Sequence, residues 1–174
     1  MGVNSGIYKF VLVLHLMTAI IGFGSVFLAG VFGSKAQARG GREGLAVSEV
    51  TVDVAKHWSE WFMYAVPVFG ILLVLLSDDL YKFSQAWISV SFLLYFGAIG
   101  LSHAVHFPNL RRMNELAAEL VAGAPPAGAG TGGPPPQVAE LEERGKRAAA
   151  VGAVLNLVVV AIVFLMVWKP GFPS

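Results

Sequence analysis

Four long apolar runs separated by three polar stretches set the rhythm of the chain. They cover residues 7–32, 58–76, 86–106 and 148–168. About 20 consecutive apolar residues cross the hydrocarbon core of a bilayer, so each run predicts a transmembrane helix. The fold class expected is all-α: a polytopic membrane protein built as a single four-helix bundle. Lys9 and the Ala36-Gln37-Ala38 triplet would also suit a signal peptide and its cleavage site. The apolar core of such a peptide is only about 7–15 residues, and the longer run here predicts a retained helix.

Finer patterning predicts how the helices meet. Steps of four and three along the first run give Val11, His15, Thr18, Gly22, Ser25 and Ala29, a ridge of small residues on which a second helix can lie closely. His15 on this ridge faces protein, where an interhelical hydrogen bond competes with a ligand role; Gly22 leaves room for a flat ring. Pro67 and Gly70 fall in mid-span of the second run. Proline there removes a donor and kinks the helix, and neighbouring helices must satisfy the freed carbonyl. Residues 34–56 read as a polar connection with a flexible Gly40-Gly41 and a 47–55 segment of uncertain structure. Helical spacing at Leu110, Met113, Ala117 and Leu120 carries the third helix beyond the membrane, with a bend at Pro108. The 123–136 stretch, rich in Pro and Gly, reads as a linker. Asn156 is expected to bond across helices.

Composition agrees with the pattern. Of 174 residues, 56% are hydrophobic and 13% charged, with mean hydropathy +0.68; soluble domains carry about 25% charged residues. The absence of cysteine removes disulfides, thiolate metal sites and cysteine nucleophiles. No basic tract suggests nucleic acid, and the lipid bilayer is the expected partner, together with a homo-oligomer or another membrane protein. Lys35, Arg39, Arg42, Lys56, Arg111, Arg112, Arg144, Lys146 and Arg147 fall in the first and third connections; Lys9, Lys82 and Lys169 fall on the opposite side. The excess places the two large connections in the cytoplasm and both termini outside a bacterial inner membrane.

That topology sets His57, Glu60, His103 and His106 at one depth, near the cytoplasmic side. His57-x-x-Glu60 and His103-x-x-His106 each put two potential ligands on one helix face, since residues three apart are neighbours. Imidazole and carboxylate suit a divalent metal, and a histidine from each helix suits haem iron. Phe92, Phe96 and Ile99 share the His103 face and offer an apolar wall. The competing reading is ordinary interfacial residues, with Glu60 paired to Lys56. No phosphate loop, G-x-S-x-G elbow or H-E-x-x-H motif is present. Charged side chains are absent from mid-span, which weighs against ion-coupled transport.

Leu14-His15-Leu16 with Gly22, Trp87 entering the third helix, and Pro108-x-x-Arg111-x-x-x-Glu115-Leu116 leaving it together resemble a bacterial integral-membrane family, domain of unknown function 2269. The resemblance covers nearly the whole chain and implies a four-helix inner-membrane protein without an established activity. More distantly, the His-to-Gly first helix is similar to HemJ-type protoporphyrinogen oxidases and copper-resistance D proteins. That likeness implies His15 as a haem ligand. Ile20-Ile21 stand where those families have tryptophan, and no lysine matches the one in the HemJ third helix, so neither activity carries over. Two function classes remain. The favoured one is a non-catalytic or accessory helix-bundle protein. The alternative is a haem b- or metal-binding redox protein using His57, His103, His106 and His15, with Glu60 at the metal.

Overall fold

A computed structural model describes residues 2–123 and 135–171. Its four helices are α1 Gly6–Arg39, α2 Gly41–Leu76, α3 Ala86–Ala122 and α4 Pro136–Trp168, each long and apolar enough to cross a membrane. Among the described residues all regular structure is helical. The chain is a four-helix membrane-spanning bundle of up-down-up-down connectivity.

Helix length determines the shape. The helices hold 34, 36, 37 and 33 residues, or about 50–55 Å at ~1.5 Å per residue, against a hydrocarbon core of about 30 Å. The surplus emerges on one side, where the end of α1, the start of α2, the end of α3 and the start of α4 pack as a polar head. The expected connection over residues 34–56 is therefore helix, apart from a break at Gly40. The physical reason is local. Gly40 and Gly41 have φ of 63° and 50°, a region open to glycine, and turn the chain through a tight hairpin. Gly44 then lies so close to α1 that an added Cβ would strike the Ala36 carbonyl oxygen. The linker at residues 123–136 lies outside the described residues except at its ends.

Each span contributes to the membrane core: Phe23 from α1, Val66 from α2, Tyr95 from α3, and Val159 and Ile162 from α4. Large apolar side chains such as Phe10, Leu93 and Val167 point outward, where lipid takes the place of a protein core. On the terminal side, Ser77 ends α2 by donating to the Val74 carbonyl at 2.7 Å and accepting from the Tyr81 amide at 3.0 Å. Lys169, after α4, donates to the Tyr81 hydroxyl at 2.9 Å and lies over the Tyr81 and Trp87 rings. In the head, Leu116 is fully buried and Gly145 of α4 admits Gln37 of α1. Asn109 donates to the Arg144 carbonyl at 2.9 Å, and Ser48 donates to Asn114 at 2.6 Å.

Two helices are not α throughout. α2 widens to a π turn at Ala55–Ser59 and α3 at Ser102–His106; the Glu60 amide reaches the Ala55 carbonyl, and the Phe107 amide reaches the Ser102 carbonyl. The second turn comes just before Pro108, so the bend expected there takes the form of a wide turn in a continuous helix. Both sit where the spans meet the head.

Candidate functional site

Pro67 has no N–H, so it cannot supply the donor that the Met63 carbonyl would receive in a regular helix. The Tyr95 hydroxyl, reaching across from α3, donates to that carbonyl instead. His15 of α1 donates from Nδ1 to the Val66 carbonyl at 3.0 Å, and its ring lies over Gly70, where a Cβ would meet Cε1 at 3.3 Å. A carbonyl only accepts, so Nδ1 carries the proton in this bond. The proline-bearing stretch of α2 is thus held from both sides by polar side chains of its neighbours. Gly22 admits Met63 to the same contact, with Met63 Sδ 3.1 Å from a built Cβ.

The second polar cluster sits at the head end of α2 and α3. His103 Nε2 lies 2.7 Å from Glu60 Oε1. The Tyr64 hydroxyl is 2.8 Å from the same carboxylate oxygen and 2.9 Å from Nε2. His103 Nδ1 faces the Ile99 carbonyl at 2.9 Å and must carry a proton there. Nε2, Oε1 and the phenol oxygen therefore form a closed triangle. With Nε2 protonated, both the ring and Tyr64 donate to the carboxylate; with Nε2 bare, Tyr64 can donate to the ring. Phe107 packs edge-on against His103 at 5.5 Å. The His103 and Glu60 side chains are 43% and 21% exposed, so the cluster borders the surface.

Sequence spacing placed four residues here, and the structure brings together two of them. His57 turns back on its own helix, 3.1 Å from the Asp53 carbonyl and 2.8 Å from the Asp53 carboxylate. His106 has a buried Nδ1 with no hydrogen-bond partner among the described residues. Among those residues no three His, Asp or Glu side chains gather as a metal-binding group. The i,i+3 rule assumed α geometry, and both pairs span a π turn, whose wider circuit takes residues three apart off a common face. His15 lies elsewhere: its contact at Val66 is six residues along α2 from Glu60, about 9 Å of rise. Tyr64 and Tyr95, which complete the two clusters, were missed from sequence. The signal for Tyr95 was the carbonyl that Pro67 leaves without a donor; for Tyr64 it was its place one turn beyond Glu60. Asn156, expected to bond across helices, has a buried Oδ1 with no partner among the described residues.

Between these clusters the helices are unevenly spaced. In the membrane the backbones of α1 and α2 approach closely, as do those of α3 and α4, whereas the backbones of α2 and α3 come together mainly in the head. Their membrane seam stays open as a shallow groove lined by Ile71, Phe83, Ser89, Phe92 and Phe96. The Phe92 and Phe96 rings stack at 6.0 Å. The aromatic wall expected beside His103 thus lies along this groove, while Ile99 packs toward the core.

No curated protein and no solved structure matches the chain. The four spans and their connectivity agree with the family described as predicted integral membrane protein (DUF2269), whose profile matches residues 9–170, and the chain belongs to that family.

Proposed function

We propose that this is a non-catalytic, accessory protein of the bacterial inner membrane that acts through helix packing and its head. In this reading the head is cytoplasmic and both termini are outside, as the Lys and Arg distribution favours. The observation that carries it is the use made of polar groups within the spans. His15 and Tyr95 bind neighbouring helices to the backbone of α2, while the same helices continue unbroken into a head packed around Leu116. Such an arrangement passes a lateral force or a partner contact from the bilayer to the head without chemistry on the chain. Its partner is lipid together with a second copy or another membrane protein.

A second reading, a membrane redox protein binding haem b or a divalent metal, draws on the Glu60–His103 pair. His103 gives Nδ1 to a backbone carbonyl and leaves Nε2 as the ligand atom, which is how metal-binding histidines are commonly oriented. Glu60 would join it, with His57, His106 or, by the HemJ-like first helix, His15 as a further ligand. A visible spectrum and metal analysis of the purified protein separate the two. A folded, colourless and metal-free preparation supports the accessory reading. A Soret band lost in His103→Ala overturns it. Cysteine introduced into the 123–136 linker should be protected from a membrane-impermeant maleimide in intact spheroplasts; labelling there overturns the orientation.

A further inference from the structure

The charges of the head are sorted by their distance from the membrane. Gln37 of α1 lies beside Gly145 of α4, and Lys35 and Arg147 each stand two residues from that contact on the membrane side, with Lys146 next to Arg147. Asn109 of α3 meets the Arg144 carbonyl, which brings Arg147 level with His106. Glu60 of α2 meets His103, so Lys56, one turn headward along α2, falls at about the same height. Lys35, Lys56, Lys146 and Arg147 are all exposed. Among the described residues none of the four has an ion pair.

The carboxylates near this height are already engaged, Asp53 by His57 at 2.8 Å and Glu60 by His103 at 2.7 Å. The others of the head lie farther from the membrane, beginning with Glu143 one turn out along α4. Glu115, Glu119 and Glu140 there share Arg112. Trp58 and Trp61, just to the membrane side of Lys56, are 68% and 73% exposed, as suits tryptophan at a lipid–water interface. The four bases thus form a belt where the spans leave the lipid. We infer that this belt binds the phosphates of anionic phospholipids in the leaflet on the head side. Basic side chains attract such lipids within about a Debye length, ~8 Å at physiological salt. Because the bases stand exposed on three different helices, a shell of lipid headgroups can meet all of them, where one soluble phosphate cannot. This goes beyond the accessory reading, since it rests on the spans and the placement of charge and on no activity of the head.

The test is native mass spectrometry of the full chain released from nanodiscs of equimolar phosphatidylglycerol and phosphatidylcholine, reading the ratio of the two lipids retained. The wild type should keep phosphatidylglycerol over phosphatidylcholine by about threefold or more. Lys56→Gln with Arg147→Gln should cut that ratio to about half or less. Arg39→Gln with Arg42→Gln removes as much charge from farther out and should leave it unchanged. Lys56→Arg with Arg147→Lys keeps both charges and should match the wild type. A wild-type ratio of one overturns the inference, and so does an equal loss in the two Gln pairs, which would mean that net charge alone is felt. A charge-keeping pair that falls as far as Lys56→Gln with Arg147→Gln also counts against it, because packing would then be the cause. Millimolar glycerol 3-phosphate, which carries the headgroup chemistry without tails, should not change the ratio; loss of the enrichment in its presence would assign the belt to a soluble phosphate and overturn the lipid.

Discussion

Replacing Tyr95 by phenylalanine removes one oxygen and exposes the effect of Pro67. Proline offers no N–H to the Met63 carbonyl, and in the structure the Tyr95 hydroxyl bonds it from the neighbouring helix. Tyr95 is 5% exposed, so water cannot take its place. A buried carbonyl without a donor costs about 1–3 kcal/mol, whereas hydrogen bonds between membrane helices average about 0.6 and reach about 1.7 kcal/mol. The range shared by the two suggests a loss of about 1–1.7 kcal/mol for Tyr95→Phe. In a Pro67→Ala background, residue 67 regains an N–H and α2 can bond its own Met63 carbonyl. There the same substitution should cost less than about 0.5 kcal/mol, giving a coupling of about 0.5–1.7 kcal/mol against the ~0.3–0.5 kcal/mol scatter of independent sites. Unfolding of the four proteins by SDS titration from bicelles measures the cycle. Equal losses with and without the proline would refute the reasoning, because the hydroxyl would then not be compensating for the missing donor.

Other substitutions test the rest of the bundle. Gly44→Ala should destabilise the α1–α2 hairpin by about 1–3 kcal/mol through overpacking against the Ala36 backbone. Gly24→Ala, where a Cβ meets nothing within 4 Å, should be neutral or slightly stabilising in the same titration. In the head, outside the apolar spans, the Arg144 guanidinium bonded to Glu140 holds that carboxyl below its ordinary value, with Arg112 adding to the effect. A folded value below the unfolded one contributes stability above the unfolded pKa, and that contribution fades as pH falls through the folded one. Hydrogen exchange in the head should therefore speed up as pH drops below the usual carboxylate range, after correction for intrinsic rates. Glu140→Gln should flatten that dependence, and an unchanged pH profile in the variant would discount the ion pair.

The number of spans and the membrane class could be read from sequence, because hydrophobic length is a strong signal and lipid admits few alternatives. So could the inward placement of His15. A ridge of small residues implies close approach, and Gly22 does admit Met63. The head was only half legible. Helical spacing over 110–120 extended α3, but residues 34–56 carry more charge and the Gly40-Gly41 pair, which read as a flexible connection. Their helical state depends on a tertiary fit, Gly44 against Ala36, that no local propensity reveals. The candidate cluster was also half legible, with Glu60 and His103 brought together and His57 and His106 apart from them. Grouping His57 with Glu60, and His103 with His106, applied α periodicity across segments that adopt π geometry. Pro108 hints at an irregularity after His106, but nothing in the 55–59 sequence, Ala-Lys-His-Trp-Ser, announces a π turn.

The Glu60–His103 pair makes a last prediction from an asymmetry between its partners. Removing Glu60 leaves an imidazole that can keep its Nδ1 bond to the Ile99 carbonyl and accept from Tyr64 at Nε2. All its polar atoms remain satisfied in a neutral state. Removing His103 instead leaves a carboxylate at the junction of membrane and head, 21% exposed, with the Tyr64 hydroxyl as its remaining partner in the cluster. Charge left without its counterpart is costly where water is scarce, and the carboxylate cannot become neutral without taking up a proton. His103→Ala should therefore destabilise the chain by about 1 kcal/mol more than Glu60→Ala at neutral pH, the low end of the cost of a polar group left unsatisfied. Denaturant midpoints for both variants at pH 7 give the comparison. A larger loss in Glu60→Ala at pH 7 would mean that the cluster depends on a charged histidine held in place by the glutamate, and would reverse this account of which partner needs the other.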